Sequence, residues 1–590
     1  MKGRSKYFVR GVGVALSMAL LAACGSTTSN KTASSAAATT TSTTAASSSS
    51  TAAGTPQKGG TVVYSLGPQD INWYFPIRPS EYNTGVDSTA ASAMYKSLFE
   101  VASNGKIDFA HSIASSITWN ANGTVYTIDI NPKWHWSDGS PVTASDVLFT
   151  WDIIKAASAS TASAPWPYAG AGSGGVPNDI KSLKVVSPTE FTITLTKPVN
   201  QQWFEYDGLS KFIPLPAQVW NKYPKSPTQE LNYITQNGTK LSFYKVVDGP
   251  FKIVSAVDKQ AWTFVPNTSY DGHKPYISKL VLAYDTSGTA EANALRSGAA
   301  QIGTIPASDY NIRSQFTNDR FFTTNNYGYC RLFLNFGNPQ VGSILNQLPV
   351  RQAMAMGIDQ QGMIQKIYEG QAVIGSGPVP LDPPTFLAPQ LEKPPYAFNP
   401  AAGKALLEKN GWTEKNGVMT NAKGQQLNFT MQYLSGSSSV LAAMQLIQSD
   451  WAQEGIKVAL QPDLFATMVG MHVKSDAAKW QIQGGICWNW GASVPTGENL
   501  FKTGGAYNFY QFSNPSLDKL IDATISPQPT PSAQQAAMYA YDIAVAKDLP
   551  QIWMPKEFGL NMVAKNVHGV VSTVNNFTGA IYPQYWWVSQ

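Results

Sequence analysis

The chain reads as a mixed α/β protein folded in more than one lobe behind a tether. Three observations predict this. Segments with the two-residue alternation of half-buried strands recur between segments with helical spacing, from Gly60 to the C-terminus. With 590 residues the chain can build a large core and two lobes or more. No repeat of roughly 20–50 residues is visible, which argues against a solenoid.

Taken in order, Lys58-Gly59-Gly60 closes the tether and residues 61–65 form the first strand. Residues 88–99 have helical spacing through Ala90, Ala93, Met94 and Leu98, ending near Asn104-Gly105. Residues 124–130 alternate as a strand, Asp138-Gly139 makes a turn, and Thr143 caps a helix over 144–155. Residues 191–195, 251–257 and 276–284 are expected strands, and 160–177 a long Gly/Ala/Ser/Pro-rich loop. Farther on, Pro349 opens a helix, and Asp359 caps one carrying Met363, Ile364 and Ile367 on one face. Asn399 caps another, packed through Ala402, Ala405 and Leu406, which Asn410-Gly411 ends. Strand and helix continue to alternate through 427–433, 440–454 and 456–460.

The N-terminus reads as an address. Lys2, Arg4, Lys6 and Arg10 precede an apolar run too short for a permanent membrane span, and Leu21-Ala22-Ala23-Cys24-Gly25 is a lipobox pattern. Residues 1–23 are thus expected to be a lipoprotein signal peptide, with Cys24 the lipidated first residue of the mature chain. An ordinary signal peptide cut beside a cysteine is the alternative. Residues 24–57 are almost wholly Ser, Thr and Ala up to Pro56, a composition that cannot offset the entropy of ordering it. As coil, the tether spans roughly 30 Å.

The net charge of +5 includes those four leader cations, leaving a nearly neutral body. This argues against nucleic acid and against broad docking on anionic lipid. Cys330 and Cys487 have no CxxC or metal-ligand spacing and are expected as buried free thiols, a disulfide being the alternative. The 17 tryptophans and 26 tyrosines suit a protein that encloses a ligand, or equally a large extracellular core.

Seven motifs in series resemble the extracellular solute-binding protein family 5, the dipeptide-, oligopeptide- and nickel-binding receptors of ABC importers. The most specific runs from Trp134-His135-Trp136 through Ser137-Asp138-Gly139-Ser140-Pro141-Val142-Thr143-Ala144-Ser145-Asp146-Val147. Asp248-Gly249-Pro250-Phe251, Asn267-Thr268-Ser269-Tyr270-Asp271-Gly272 and Ala294-Leu295-Arg296-Ser297-Gly298 follow. Then come Leu334-Asn335-Phe336 with Val350-Arg351-Gln352-Ala353 and Ile358-Asp359, the helix over 400–411, and Glu454-Gly455-Ile456-Lys457-Val458. These are architectural rather than chemical: a turn, a cap, a bend.

The resemblance implies a bilobal periplasmic-binding-protein-like α/β fold of type II, in its large cluster, closing by a hinge. Lobe one would comprise 58–321 plus 557–590, with an extra subdomain over about 70–240, and lobe two 322–556. It also implies a solute or peptide ligand, a membrane ABC permease and its ATPase as partners, and no enzymatic activity or cofactor. A monomer anchored on the outer face of the cytoplasmic membrane is expected.

In peptide-binding members a loop of the form G-W-x-x-D-x-x-D-P-x-x-F supplies an aspartate for the peptide ammonium. The matching stretch here, 484–501, keeps Trp488, Pro495 and Phe501 but has no aspartate. Asn489 is the nearest isostere and Glu498 the only acid. Trp488, Asn489, Trp490 and Glu498 are therefore candidate ligand residues. They suit a peptide held through its backbone, a sugar face or an aromatic solute, a buried packing loop being the alternative. Tyr64 and Tyr329 are further candidates, as is Arg331, which could pair a carboxylate or form a surface ion pair. Trp134 and Trp136 are expected as packing.

Enzyme motifs are missing or misplaced. Lys502-Thr503-Gly504 precedes Ser516-Leu517-Asp518-Lys519, the reverse of β-lactamase order, and no G-x-S-x-G, H-E-x-x-H or P-loop occurs. The five histidines are scattered, which disfavours a metal site.

Overall fold

The computed structural model describes residues 54–589 apart from 80, 81, 163, 382 and 383; the expected signal peptide, Cys24 and the expected tether through residue 53 lie outside them. Two sheets carry the architecture. The first has seven strands in the order Asp319–Thr324, Gly559–Ala564, Ile302–Thr304, Thr61–Ser65, Lys279–Ala283, Ala261–Pro266 and Phe251–Val257. Thr61–Ser65 runs parallel to both its neighbours. The second has five, in the order Lys457–Asp463, Asn428–Leu434, Ile482–Asn489, Gly328–Leu334 and Gln551–Met554. A four-stranded antiparallel sheet, Ala114–Trp119, Val125–Ile130, Glu190–Leu195 and Ile180–Ser187, builds a subdomain.

The chain passes between the two large sheets twice. Asp319–Thr324 pairs antiparallel with Gly559–Ala564 in the first, and Gly328–Leu334 pairs antiparallel with Gln551–Met554 in the second. The links 325–327 and 555–558 therefore run together as a double crossing, the arrangement of a hinge.

Local chemistry explains most elements. In Val125–Ile130 and Glu190–Leu195 alternate side chains point inward, so Tyr126, Ile128, Ile130, Phe191, Ile193 and Leu195 are buried. Thr143 forms a capping box with Asp146 at the start of Ala144–Ser158. Asp359, Asn399 and Asn514 cap Gln360–Lys366, Pro400–Lys409 and Pro515–Ile525 through their side chains. Trp134 and Trp136 are buried, as expected of packing residues.

One helix departs from expectation. It spans Gly85–Met94 rather than 88–99, starting from the Thr84 cap. Tertiary partners stop it: Gly249 N–H donates to the Met94 carbonyl at 2.7 Å, and Lys96 N–H to the Asp248 carboxylate at 3.0 Å. A Cβ at Gly249 would stand 2.5 Å from the Met94 backbone, which explains the glycine of the Asp248-Gly249-Pro250 motif.

Two apolar cores follow. Val62, Trp262, Phe264, Leu280 and the subdomain aromatics form one. Leu332, Phe429, Met431, Ile447, Trp451 and Ile482 form the other, which also takes in Ala292 and Leu295 of the helix Gly288–Ser297. From Gly54 onward the fold gathers as one compact unit.

Candidate functional site

Strand Ile482–Asn489 delivers its last residues to the seam between the lobes. Beyond it Trp490 is fastened twice, its backbone N–H to the Tyr327 carbonyl at 2.8 Å and its indole to the Pro378 carbonyl at 2.9 Å. The Asn489 side chain accepts from Gly491 N–H at 2.9 Å and turns the chain. Gly497 sits at φ +75° with the Tyr541 hydroxyl where a Cβ would project, so the loop tightens there only with glycine.

Facing this loop is the helix Gln201–Trp203, which runs on as a wide turn over Phe204–Gly208. Trp203 donates from its indole to Glu498 at 3.0 Å, and the Asp207 carboxylate accepts from Val494 N–H at 2.9 Å. Asn200 adds contacts to the Ile525 carbonyl at 2.8 Å and, through its amide, to the Thr524 carbonyl at 3.0 Å. The Tyr507 hydroxyl donates to the Ala169 carbonyl. The lobes are thus drawn together by side chains from both.

Between them lies a cavity of ≈ 250 Å³. Arg78, Tyr168, Asp207 and Lys211 line it from one side, and Trp488, Asn489, Trp490 and Glu498 from the other. Acidic and basic side chains are both present. Burial pushes the Asp207 carboxyl well above its usual range, the neighbouring Glu498 adds to this, and Lys211 opposes it. Burial pushes Lys211 down, against the pull of Asp207 and Glu498. Arg78 is lowered by burial and supported by Asp87. Arg78 Nε and Trp488 Nε1 are buried with no hydrogen-bond partner.

Four of the expected residues therefore meet at one cavity. Tyr64 lines a different, smaller one of ≈ 120 Å³, with Thr324, Asn326, Asn561 and Trp586, and burial raises its hydroxyl to about 12. Tyr329 and Arg331 line neither. Tyr329 donates to Gln551 at 3.2 Å and its ring packs against Trp490 and Trp553. Arg331 is 4% exposed, which removes the surface-pair alternative.

The cysteines are corrected. Cys330 and Cys487 form a disulfide, because the antiparallel register sets them directly opposite with Cα atoms 4.0 Å apart. Distance along the chain conceals this pairing. Sequence reasoning also missed Arg78, Tyr168, Asp207, Lys211 and Tyr507. A signal for two of them was available: Asp207 and Lys211 interrupt the aromatic and apolar stretch from Trp203 to Ile213, and charges in such a setting need a reason.

Residues 108–510 match the family model of bacterial extracellular solute-binding proteins, family 5. The chain belongs to that family. It is 23% identical over 432 residues to the oligopeptide-binding protein AppA of Bacillus subtilis (strain 168), covering 72% of this chain and 70% of AppA. It is 24% identical over 410 residues to the nickel-binding periplasmic protein of Escherichia coli (strain K12), covering 68% and 72% respectively. The solved structure of AppA with a nonapeptide superposes with a TM-score of 0.77 at 18% identity, over 91% of this chain and 100% of AppA. This family-5 protein accordingly has the bilobal type II binding-protein fold and is an extracytoplasmic solute-binding protein. No helix among the described residues is long and apolar enough to cross a membrane.

Proposed function

We propose that this protein is the receptor of an ABC importer and that it captures a di- or oligopeptide in the inter-lobe cavity. The observation that carries this reading is the mixed charge of the wall, with Asp207 and Glu498 beside Arg78 and Lys211. A peptide brings an ammonium, a carboxylate and a polar backbone, and so answers both signs. Asp207 and Glu498, one from each lobe, take the ammonium in place of the absent loop aspartate. Arg78 and Lys211 take the carboxylate, with Arg78 Nε and Trp488 Nε1 as unsatisfied donors for ligand oxygens. A neutral sugar on Trp488 and Trp490 would leave the acids and bases of the wall to answer only one another.

Binding supplies the differential affinity that shifts an open–closed equilibrium, and no bond is made or broken. The moving parts are lobe one, 58–321 with 557–590 and its subdomain over about 70–240, and lobe two, 322–556. The closed receptor, a monomer moored through lipidated Cys24, presents its load to a permease driven by an ATPase. Tyr64, Tyr329 and Arg331 support the cleft from its margins.

A thermal-shift screen of the mature protein against short peptides and oligosaccharides tests this, since a ligand of the native state raises its Tm. Peptides are expected to raise it. A rise with saccharides and none with peptides would replace the ligand class.

A further inference from the structure

Arg331 stands outside the charged cavity and calls for its own explanation. It projects from Gly328–Leu334 on the same face as Tyr329 and Phe333. Its guanidinium carbon lies 4.3 Å from the centre of the Phe333 ring, 5.2 Å from that of Tyr329 and 5.6 Å from that of Trp488. Nε and Nη1 are buried without a hydrogen-bond partner. Among the described residues no carboxylate forms an ion pair with it. The ionisable groups that act on it are the Tyr329 and Tyr510 hydroxyls, both held neutral by burial, and of these the Tyr329 hydroxyl also hydrogen-bonds with the guanidinium.

The surroundings, as far as the described residues show, supply neutral hydroxyl, amide and imidazole groups and no ion-paired carboxylate. Gln551, opposite Phe333 in register, is fully buried. Its Oε1 accepts from the Tyr329 hydroxyl, and its Nε2, otherwise without a partner, has the Tyr510 hydroxyl beside it. His472, stacked on Phe509 with ring centres 3.6 Å apart, is kept neutral, its pKa pushed down to about 3 chiefly by burial and further by Arg331. Aromatic faces soften a guanidinium charge, but they do not replace a counter-ion.

We propose that Arg331, together with the Gln551 amide, binds a small monovalent anion of chloride size inside the second lobe. Neither residue lines the inter-lobe cavity, so the occupant is an inorganic ion and not the carboxylate of a captured solute. Tyr329 pairs with Trp488 across the sheet and begins just after the 325–327 crossing. The anion therefore braces the wall behind Trp488 where that wall meets the crossing. This site stands whether or not the captured solute is a peptide.

The test uses the mature chain at constant ionic strength, with sodium gluconate exchanged for chloride or bromide. Tm is expected to rise by a few degrees and saturate with either halide in the wild type, and to lose this response in Arg331→Gln. Crystals soaked in bromide are expected to show an anomalous peak within hydrogen-bond reach of Arg331 and Gln551. If Arg331→Gln does not fold, the bromide peak in the wild type decides. No peak there, with only water between the two side chains, overturns the proposal.

Discussion

The Asp207 carboxylate accepts a 2.9 Å hydrogen bond from the backbone N–H of Val494, and so fastens the subdomain side of the cleft to the loop that leaves the five-stranded sheet. One turn earlier on the same segment, Trp203 donates to Glu498 at 3.0 Å. Two carboxylates from opposite lobes thus hold one loop and face one cavity. On the function proposed above, lobe closure and charge recognition share these residues.

Asp207→Asn keeps the size of the side chain and an acceptor for Val494 while removing charge. A charge-assisted hydrogen bond is worth about 1.5–3 kcal/mol, so affinity for a free-amine peptide is expected to fall roughly 10- to 150-fold. Binding of the N-acetylated peptide should be unchanged. Isothermal titration calorimetry with the matched pair reads both, and equal losses for the two would remove the ammonium from the interaction.

Glu454 is fully buried, neither of its carboxylate oxygens has a partner, and burial raises its pKa from 4.5 to about 9. The folded chain therefore holds this proton more tightly than the unfolded chain. Its contribution is full below 4.5 and is lost as pH climbs toward about 9. Asp248 and Asp542, raised to about 7 and about 8, act in the same direction. Glu454→Gln should flatten the decline, gaining about 1–3 kcal/mol on wild type between acid and weakly alkaline pH. Urea unfolding across that range measures it, and parallel curves for the two proteins would contradict it.

The disulfide closes a separation of 157 residues. Chain entropy alone would give such a link about 5 kcal/mol, and about 2–4 kcal/mol is typical in practice. The Cys330→Ser, Cys487→Ser double variant should unfold at correspondingly lower denaturant, and reductant should bring the wild type to the same midpoint. An unmoved midpoint would show that the strand pairing holds without the link.

Cys24→Ala removes the thiol that a lipid would modify. The expected outcome is a protein shed from the membrane fraction into the medium, with the acyl mass absent from its N-terminus. Continued membrane retention of the variant would exclude this anchor.

Elements governed by local chemistry were legible in the sequence. The strand Phe251–Val257, the Thr143 cap and the Asp359 and Asn399 helix starts all follow from alternation and side-chain hydrogen bonds within a few residues. The helix that ends at Met94 was not, because Gly249 and Asp248, far along the chain, terminate it. The candidate site divides the same way. Trp488, Asn489, Trp490 and Glu498 stood out because one continuous loop departs from a known pattern, whereas Asp207, Lys211 and Arg78 reach the cavity from segments hundreds of residues away.

By itself the sequence determined the class of fold, many of its strands and helices, and the membership of a solute-binding family. Those properties are written in neighbouring residues, where period, cap and turn chemistry act over a few positions. Only the tertiary structure decided that Cys330 meets Cys487, that Arg331 is enclosed with no ion pair among the described residues, and that two acids and two bases face one cavity. Register and burial are properties of the assembled sheets, and desolvation acts on a charge only after distant segments have closed around it.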